Sequence, residues 1–132
     1  MRLVVIDDNT ILMQGIVELL HLNGCQAIGA DDPREGLRLI EQHHPHVVVV
    51  DVMMPYLSGV DVLQWIRRQP VPIKSTFVII MHSDSLSYEL NCDAFMVKPF
   101  DPDDLLRLVL DFADSDQATG IRHYLETGQF VR

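Results

Sequence analysis

The chain has 132 residues, 48% of them apolar and 22% charged, which indicates one folded domain with a hydrophobic core and excludes a disordered chain. The net charge of −9 argues against a nucleic-acid-binding surface and suits a basic protein partner, a cation, or solubility alone. Two cysteines are too few for a disulfide framework, and no apolar stretch approaches the ~20 residues of a membrane span, so we expect a cytoplasmic protein without membrane contact.

Short apolar runs that predict buried strands alternate with helical patterns along the chain. The predicted strands are Leu3–Ile6, Cys25–Ala30 at an edge, Val47–Val50, Phe77–Met81 and Ala94–Val97. The predicted helices run from Ile11 to Leu20, from Asp32-Pro33 to Ile40, from Val60 to Arg67, and from Asp101-Pro102 to Phe112. This alternation predicts a parallel sheet with helices on both faces. We expect one domain over residues 1–114 and a tail over residues 115–132, either a short extra helix or the start of a linker.

Charged side chains follow three of the predicted strands. Asp7 and Asp8 come directly after the first strand, Asp51 after the third, and Lys98 after the fifth. The carboxyl ends of parallel strands meet at one edge of a sheet, which is where open α/β sheets bind their ligands. The sequence therefore predicts that three carboxylates and a lysine converge on this edge.

The chemistry of such a cluster follows from its charge. Three neighbouring carboxylates repel one another, so they favour a bound cation. Mg²⁺ prefers oxygen ligands, and it commonly binds one or two carboxylates together with water and phosphate oxygens. A carboxylate, Mg²⁺ and an ammonium group around one space form a site that can stabilise a phosphoryl group, with one carboxylate as the nucleophile.

Three motifs carry a resemblance to a known family: VVIDDN at 4–9, VVVVDVMMPYLSG at 47–59 and AFMVKPF at 94–100. With them, the chain resembles the receiver domain of bacterial two-component response regulators over residues 2 to about 113. The resemblance implies an α/β fold of the flavodoxin-like, doubly wound type. Its five-stranded parallel sheet would have the strand order 2-1-3-4-5.

The resemblance also implies roles for individual residues. Asp51 matches the phosphoacceptor, and Lys98 matches the lysine that contacts the phosphoryl oxygens. Asp8 matches a direct Mg²⁺ ligand, Asp7 a carboxylate that supports the ion through water, and Met53 a residue whose backbone carbonyl is a further ligand. The implied partners are a histidine kinase or phosphotransfer protein and a downstream protein.

Further residues match structural features of the family. Pro99 is expected to follow a cis peptide bond, and Pro55 and Gly59 shape the loop after the phosphoacceptor. Phe95 matches an aromatic residue whose rotamer reports phosphorylation, and a plain core role is as compatible with its position. Met53, which cannot orient a water molecule, predicts slow self-dephosphorylation.

The chain departs from the family pattern at two places. Receivers carry a Ser or Thr hydroxyl at the end of the fourth strand, where this chain has His82-Ser83. Strand length favours His82 for this position, whereas the chemistry of the hydroxyl favours Ser83, which we take as the predicted phosphoryl-binding and switch residue. Only 15 residues then separate Ser83 from Lys98, which predicts a short, distorted or absent fourth helix and leaves the family's usual output surface in doubt.

Three functions are considered for a domain with these residues. The favoured one is a phosphorylatable switch that catalyses its own phosphorylation and hydrolysis and is not a conventional enzyme. The second is a pseudo-receiver that holds a protein partner independently of phosphorylation. The third is a phosphatase of the haloacid-dehalogenase type, which would require a second Asp where this chain has Met53.

Two smaller groups of residues are not assigned to the site. Cys25 and Cys92 would lie at opposite edges of the sheet, so no disulfide between them is expected. The imidazoles of His43, His44 and His46 are interpreted as solvated groups near a helix end rather than as a metal site.

Overall fold

The computed structural model describes residues 1–83 and 91–115 of the chain. These residues contain five strands: β1 (Arg2–Ile6), β2 (Gln26–Ala30), β3 (Val47–Asp51), β4 (Phe77–His82) and β5 (Ala94–Val97). The strands are all parallel and form one sheet in the order β2-β1-β3-β4-β5. The predicted fold class and strand order are therefore confirmed.

Helices cover both faces of this sheet. They are α1 (Thr10–Leu22), α2 (Pro33–His43), α3 (Gly59–Arg68) and α4 (Pro102–Ala113), and a 3₁₀ turn spans Ile73–Ser75. Aspartates begin two of them as predicted: the side chains of Asp32 and Asp101 accept hydrogen bonds from backbone amides of the first turn, and a proline follows each. None of the helices within the described ranges is long and apolar enough to cross a membrane.

Each face of the sheet has its own hydrophobic core. On the first face, α1 and α4 pack against Val5, Val49 and Met81. On the second face, α2 and α3 pack against Val50 and Ile80. Because adjacent residues of a strand point to opposite faces, a central strand covered on both sides needs an uninterrupted apolar run.

Two central strands extend one residue beyond their predicted apolar runs. Asp51 belongs to β3 and is in register with Met81, and His82 belongs to β4 and is in register with Val97. Backbone pairing does not require an apolar side chain, so the ladder continues into the first polar residue. As a result, two polar residues are held by the sheet itself rather than by a loop.

Some predictions fall on residues outside the described ranges. The shortened helix between β4 and β5 concerns residues 84–90, and most of the predicted tail concerns residues 116–132. Both stay predictions.

The remaining sequence predictions have mixed outcomes. Cys25 and Cys92 are free and lie at opposite edges of the sheet, as predicted. The sequence pattern predicts Cys25 as the first residue of the second strand, but β2 begins one residue later, at Gln26. The interpretation of His46 as a solvated imidazole is wrong. This side chain is buried, and its Nδ1 accepts a hydrogen bond of 3.0 Å from the backbone amide of Arg2. That bond joins the starts of β1 and β3, a long-range contact that no local pattern indicates.

Candidate functional site

Three carboxylates meet at the carboxyl edge of the sheet. Asp7 directly follows β1, Asp51 is the last residue of β3, and one carboxylate oxygen of each, together with one of Asp8, lies within 4.8 Å of the others. Asp7 is fully buried and Asp51 is only 6% exposed, whereas Asp8 is exposed. The backbone amide of Asn9 donates a 2.9 Å hydrogen bond to Asp7 Oδ1, which fixes that carboxylate. The structure thus brings together the three aspartates that the sequence placed at strand ends.

Lys98 joins two of these carboxylates. Its Nζ lies 2.7 Å from Asp7 Oδ2 and 3.0 Å from Asp51 Oδ1. Its backbone amide donates a 2.7 Å hydrogen bond to the carbonyl of His82, which continues the pairing of β5 with β4 by one residue. The Lys98–Pro99 peptide bond is cis, as the sequence resemblance implied.

The cluster has more negative than positive charge. Burial raises the pKa of Asp51, and repulsion by Asp7 and Asp8 acts in the same direction, although the hydrogen bond from Lys98 opposes both. Burial alone would lower the pKa of Lys98, but its bonds to Asp7 and Asp51 outweigh that effect and raise it. Lys98 therefore stays protonated and balances the charge of one of the three carboxylates. The remaining negative charge favours the binding of a cation.

The loop after Asp51 is held against the sheet by backbone contacts. The amide of Val52 donates to the carbonyl of Met81, and the amide of Gly59 donates to the carbonyl of Val52, each at 3.0 Å. A Cβ at position 59 would press on the carbonyl group of Asp51, 2.9 Å from its carbon atom. Glycine is therefore required where α3 begins beside the end of β3, which explains the glycine of the sequence motif in physical terms.

A capping box begins α3 at the same place. Ser58 Oγ accepts a 3.1 Å hydrogen bond from the amide of Asp61, and the carboxylate of Asp61 accepts one of 2.9 Å from the amide of Ser58. Pro55 lies within this loop, and its carbonyl accepts a hydrogen bond from the amide of Leu57. The segment from Asp51 to α3 thus has a defined course.

Sequence reasoning missed one contact of this loop. Tyr56 has a φ of 73°, and its ring lies under the guanidinium of Arg34, with 3.9 Å from Cζ to the ring centroid. Arg34 also donates to Asp32, the residue that caps α2. Nothing in the local sequence signals this pairing between the start of α2 and the loop after Asp51.

The other predicted site residues lie around this edge. Met53 is two residues beyond Asp51, and this residue is 67% exposed. His82 is the last residue of β4 and half-buried, whereas Ser83 follows the strand and is exposed. Phe95 lies on β5, partly buried against the core of the second face.

The donor set fits a hard divalent cation. All three candidate side chains present carboxylate oxygens, and no sulfur or imidazole ligand is part of this group. Oxygen-only ligation by few carboxylates, with water filling the remaining positions, is how proteins bind Mg²⁺. The exposed Asp8 leaves the group open to solvent, so an ion and a second ligand can enter from there.

Comparisons with known proteins agree with this architecture. The chain is 36% identical over 106 residues to the "Probable transcriptional regulator ycf27" of Porphyridium aerugineum. The match covers 79% of this chain and 44% of that protein. It is also 35% identical over 112 residues to the "Alkaline phosphatase synthesis transcriptional regulatory protein PhoP" of Bacillus subtilis. That match covers 76% of this chain and 43% of that protein. The chain thus spans less than half the length of these two relatives.

A solved structure shows the same similarity in three dimensions. The receiver domain of the Francisella response regulator 1452 superposes with a TM-score of 0.76 at 31% sequence identity, over 83% of this chain and 93% of that one. A family model described as "Response regulator receiver domain" matches residues 3–110, which include both the acidic cluster and Lys98. The chain therefore belongs to the family of response regulator receiver domains.

Proposed function

We propose that this domain accepts a phosphoryl group on Asp51 in an Mg²⁺-dependent reaction and thereby switches its interaction with a partner protein in two-component signalling. The observation that carries the proposal is the position of Lys98 Nζ, between the buried Asp7 and the candidate nucleophile Asp51. A lysine held there has an N–H group left to bind an oxygen of an incoming phosphoryl group.

The roles of the carboxylates follow from their burial. Asp7 is buried and already bound to Lys98 and to the amide of Asn9, so it serves to position the lysine. Asp8 is exposed, and with Asp51 and the carbonyl of Met53 it would hold the ion. When bound, Mg²⁺ would supply positive charge that offsets the negative charge developing on the phosphoryl oxygens.

The transfer step balances with a phosphohistidine donor. An oxygen of Asp51 forms a bond to phosphorus, the phosphorus–nitrogen bond of the donor breaks, and the imidazole leaves with the electron pair and takes up a proton. Lys98 stays protonated throughout, because its role is to balance the charge on the phosphoryl oxygens. The domain is therefore a self-phosphorylating switch rather than a conventional enzyme.

The partners follow from this chemistry. A phosphohistidine donor implies a histidine kinase or a phosphotransfer protein on the input side, and a protein on the output side would distinguish the two states of Asp51. Two of the related proteins are named as transcriptional regulators, and they are more than twice as long as the segment that matches this chain. The output partner proposed here is a protein or protein domain that this chain contacts.

Intact mass spectrometry after incubation with acetyl phosphate tests the proposal. The wild type is expected to gain one phosphoryl group with Mg²⁺ and none after chelation of the metal. Asp51→Asn is expected to gain none in either condition, while the control Asp61→Asn gains one as the wild type does. A wild type that binds Mg²⁺ but gains no phosphoryl group would contradict the proposal and favour a module that binds its partner without phosphorylation.

A further inference from the structure

The carboxyl end of β4 lies between the two charged groups of the site. In the sheet, β4 is placed between β3, which ends in Asp51, and β5, which Lys98 directly follows. The last residue of β4 is His82. We propose that a ring N–H of His82 binds the phosphoryl group on Asp51 and that Ser83 does not; this inference rests on the proposed function.

The backbone of His82 is fixed by the sheet. His82 is in register with Val97, and its carbonyl accepts a 2.7 Å hydrogen bond from the amide of Lys98. The register partner of Asp51 on β4 is Met81, so His82 lies one residue farther toward the edge. The Asp51 carboxylate is contacted at 3.0 Å by Nζ of Lys98, and Lys98 directly follows Val97, the register partner of His82. A group bonded to this carboxylate would therefore lie between Lys98 and the end of β4. The strand therefore presents its last side chain at the level of the phosphoryl group.

The side chain of His82 and those of Asp51 and Lys98 belong to opposite faces of the sheet. Alternation along β4 places His82 on the second face, two residues after Ile80. Asp51 lies two residues after Val49 and Lys98 two residues after Met96, and both of these residues pack on the first face. Beyond the strand ends no sheet separates the two faces. Lys98 would therefore reach the phosphoryl group from the side of α1 and α4, and His82 from the side of α2 and α3.

The chemistry of the imidazole suits this position. A neutral imidazole has one N–H donor and a protonated one has two, while a phosphoryl group offers three acceptor oxygens. Ser83 is exposed and lies outside the paired part of the strand, and its hydroxyl has a shorter reach than the imidazole. A donor held by a strand is better positioned than one on the segment that follows it.

Paired variants separate the two candidates. The rate of phosphorylation by acetyl phosphate with saturating Mg²⁺ is measured by intact mass for the wild type, His82→Ala, His82→Gln and Ser83→Ala. We expect His82→Ala to slow the reaction about 100-fold, at the low end of the effect of removing one donor to developing negative charge. His82→Gln retains an N–H donor and should recover most of the rate, and Ser83→Ala should match the wild type.

A spectroscopic measurement distinguishes binding from a structural role. The ring ¹⁵N resonances of His82, assigned by their loss in His82→Gln, are followed while beryllofluoride, an analogue of the aspartyl phosphoryl group, is added with Mg²⁺. We expect these resonances to shift and to broaden with the titration. Unchanged resonances, or a slow Ser83→Ala beside a normal His82→Ala, would overturn the assignment. A wild type that is not phosphorylated and binds no beryllofluoride would overturn the proposed function as well.

Discussion

Lys98 and Asp7 are 91 residues apart in the sequence, and their side chains meet at 2.7 Å in the part of the site that is best shielded from water. Asp7 is completely buried, and the side chain of Lys98 is 22% exposed. The same ammonium group lies 3.0 Å from Asp51. One lysine thus serves both the stability of the fold and the proposed chemistry.

Replacement of Lys98 by methionine should destabilise the domain because it leaves the buried Asp7 without its cation. We expect a loss of about 2 kcal/mol in the free energy of unfolding, below the ~3–5 kcal/mol of a fully buried pair because Lys98 is partly exposed. Urea denaturation at neutral pH measures it, with the exposed Lys74→Met as control. Adding Asp7→Asn to Lys98→Met should restore part of the loss. Equal free energies of unfolding for Lys98→Met and Lys74→Met would contradict this account.

Neutralising Asp51 should stabilise the ion-free domain at neutral pH. Burial and the nearby carboxylates raise the pKa of Asp51 above its ordinary value of 3.8. The folded domain therefore binds a proton at Asp51 more tightly than the unfolded chain does. The stability that this proton provides is fully present below pH 3.8 and is lost as the pH rises through the folded-state pKa. We therefore expect Asp51→Asn to unfold at a higher temperature than the wild type at pH 7 in chelator. The difference should shrink as the pH falls toward 3.8.

The control for this measurement is Asp111→Asn, which removes an exposed carboxylate on α4 far from the cluster. It is expected to change the melting temperature little at either pH. A lower melting temperature for Asp51→Asn than for the wild type at pH 7 would show that Lys98 more than offsets the cost of ionised Asp51.

Two glycine-to-alanine substitutions should have opposite effects on stability. Gly59→Ala places a Cβ against the backbone carbonyl of Asp51, and we expect it to cost about 1–3 kcal/mol. Gly15→Ala in the middle of α1 meets no atom within 4 Å, and it should stabilise the domain by up to ~1 kcal/mol through helix propensity. Urea denaturation compares both with the wild type. A Gly59→Ala variant as stable as the wild type would show that α3 can shift away from β3 at no cost.

Arg67 should contribute more to the stability of the domain than its exposed neighbour Arg68. Its guanidinium donates hydrogen bonds of 2.8–2.9 Å to four acceptors. These acceptors are the carbonyls of Lys74, Thr76 and Asn91 and the carboxylate of Asp93. We expect Arg67→Ala to lose about 2–3 kcal/mol, because it leaves these groups without their donor. The exposed neighbour variant Arg68→Ala should lose less than ~0.5 kcal/mol. Similar losses for the two variants in chemical denaturation would refute this role.

Met53 should slow the hydrolysis of phosphorylated Asp51. This residue is 67% exposed, and its apolar side chain cannot orient an attacking water molecule by hydrogen bonding. Met53→Asn supplies an amide at this position, and we expect the half-life of the phosphorylated form to fall severalfold. The matched apolar variant Met53→Leu should keep the half-life of the wild type. Intact mass followed over time after removal of acetyl phosphate measures all three, and equal half-lives would exclude this role.

The strand-end aspartates and Lys98 could be predicted from the sequence because a physical rule connects local pattern to position. Apolar runs predict parallel strands, and parallel strands bring their carboxyl ends to one edge. The strand order and the cis peptide before Pro99 came from the family resemblance, and the structure has both. These features depend on backbone topology, which the order of elements largely determines.

Contacts between side chains from distant elements could not be predicted in this way. The Tyr56–Arg34 pair and the bonds of Arg67 depend on how a helix packs against the loops around it. The bond of the buried His46 depends on the pairing of β1 with β3. Periodicity indicates which face of a helix is buried, but not which polar group that face meets. The choice between His82 and Ser83 is of the same kind, because it depends on where β4 ends relative to Asp51.

The measurement that tests the central claim most directly is chemical mapping of the phosphorylated residue. Borohydride reduces an aspartyl phosphate to homoserine, and tandem mass spectrometry then locates the changed residue. After incubation with acetyl phosphate and Mg²⁺, we predict homoserine at position 51 and unchanged aspartate at positions 7 and 8. Homoserine at position 7 or 8, or a phosphoryl group found on a histidine instead, would contradict the assignment of Asp51 as the phosphoacceptor.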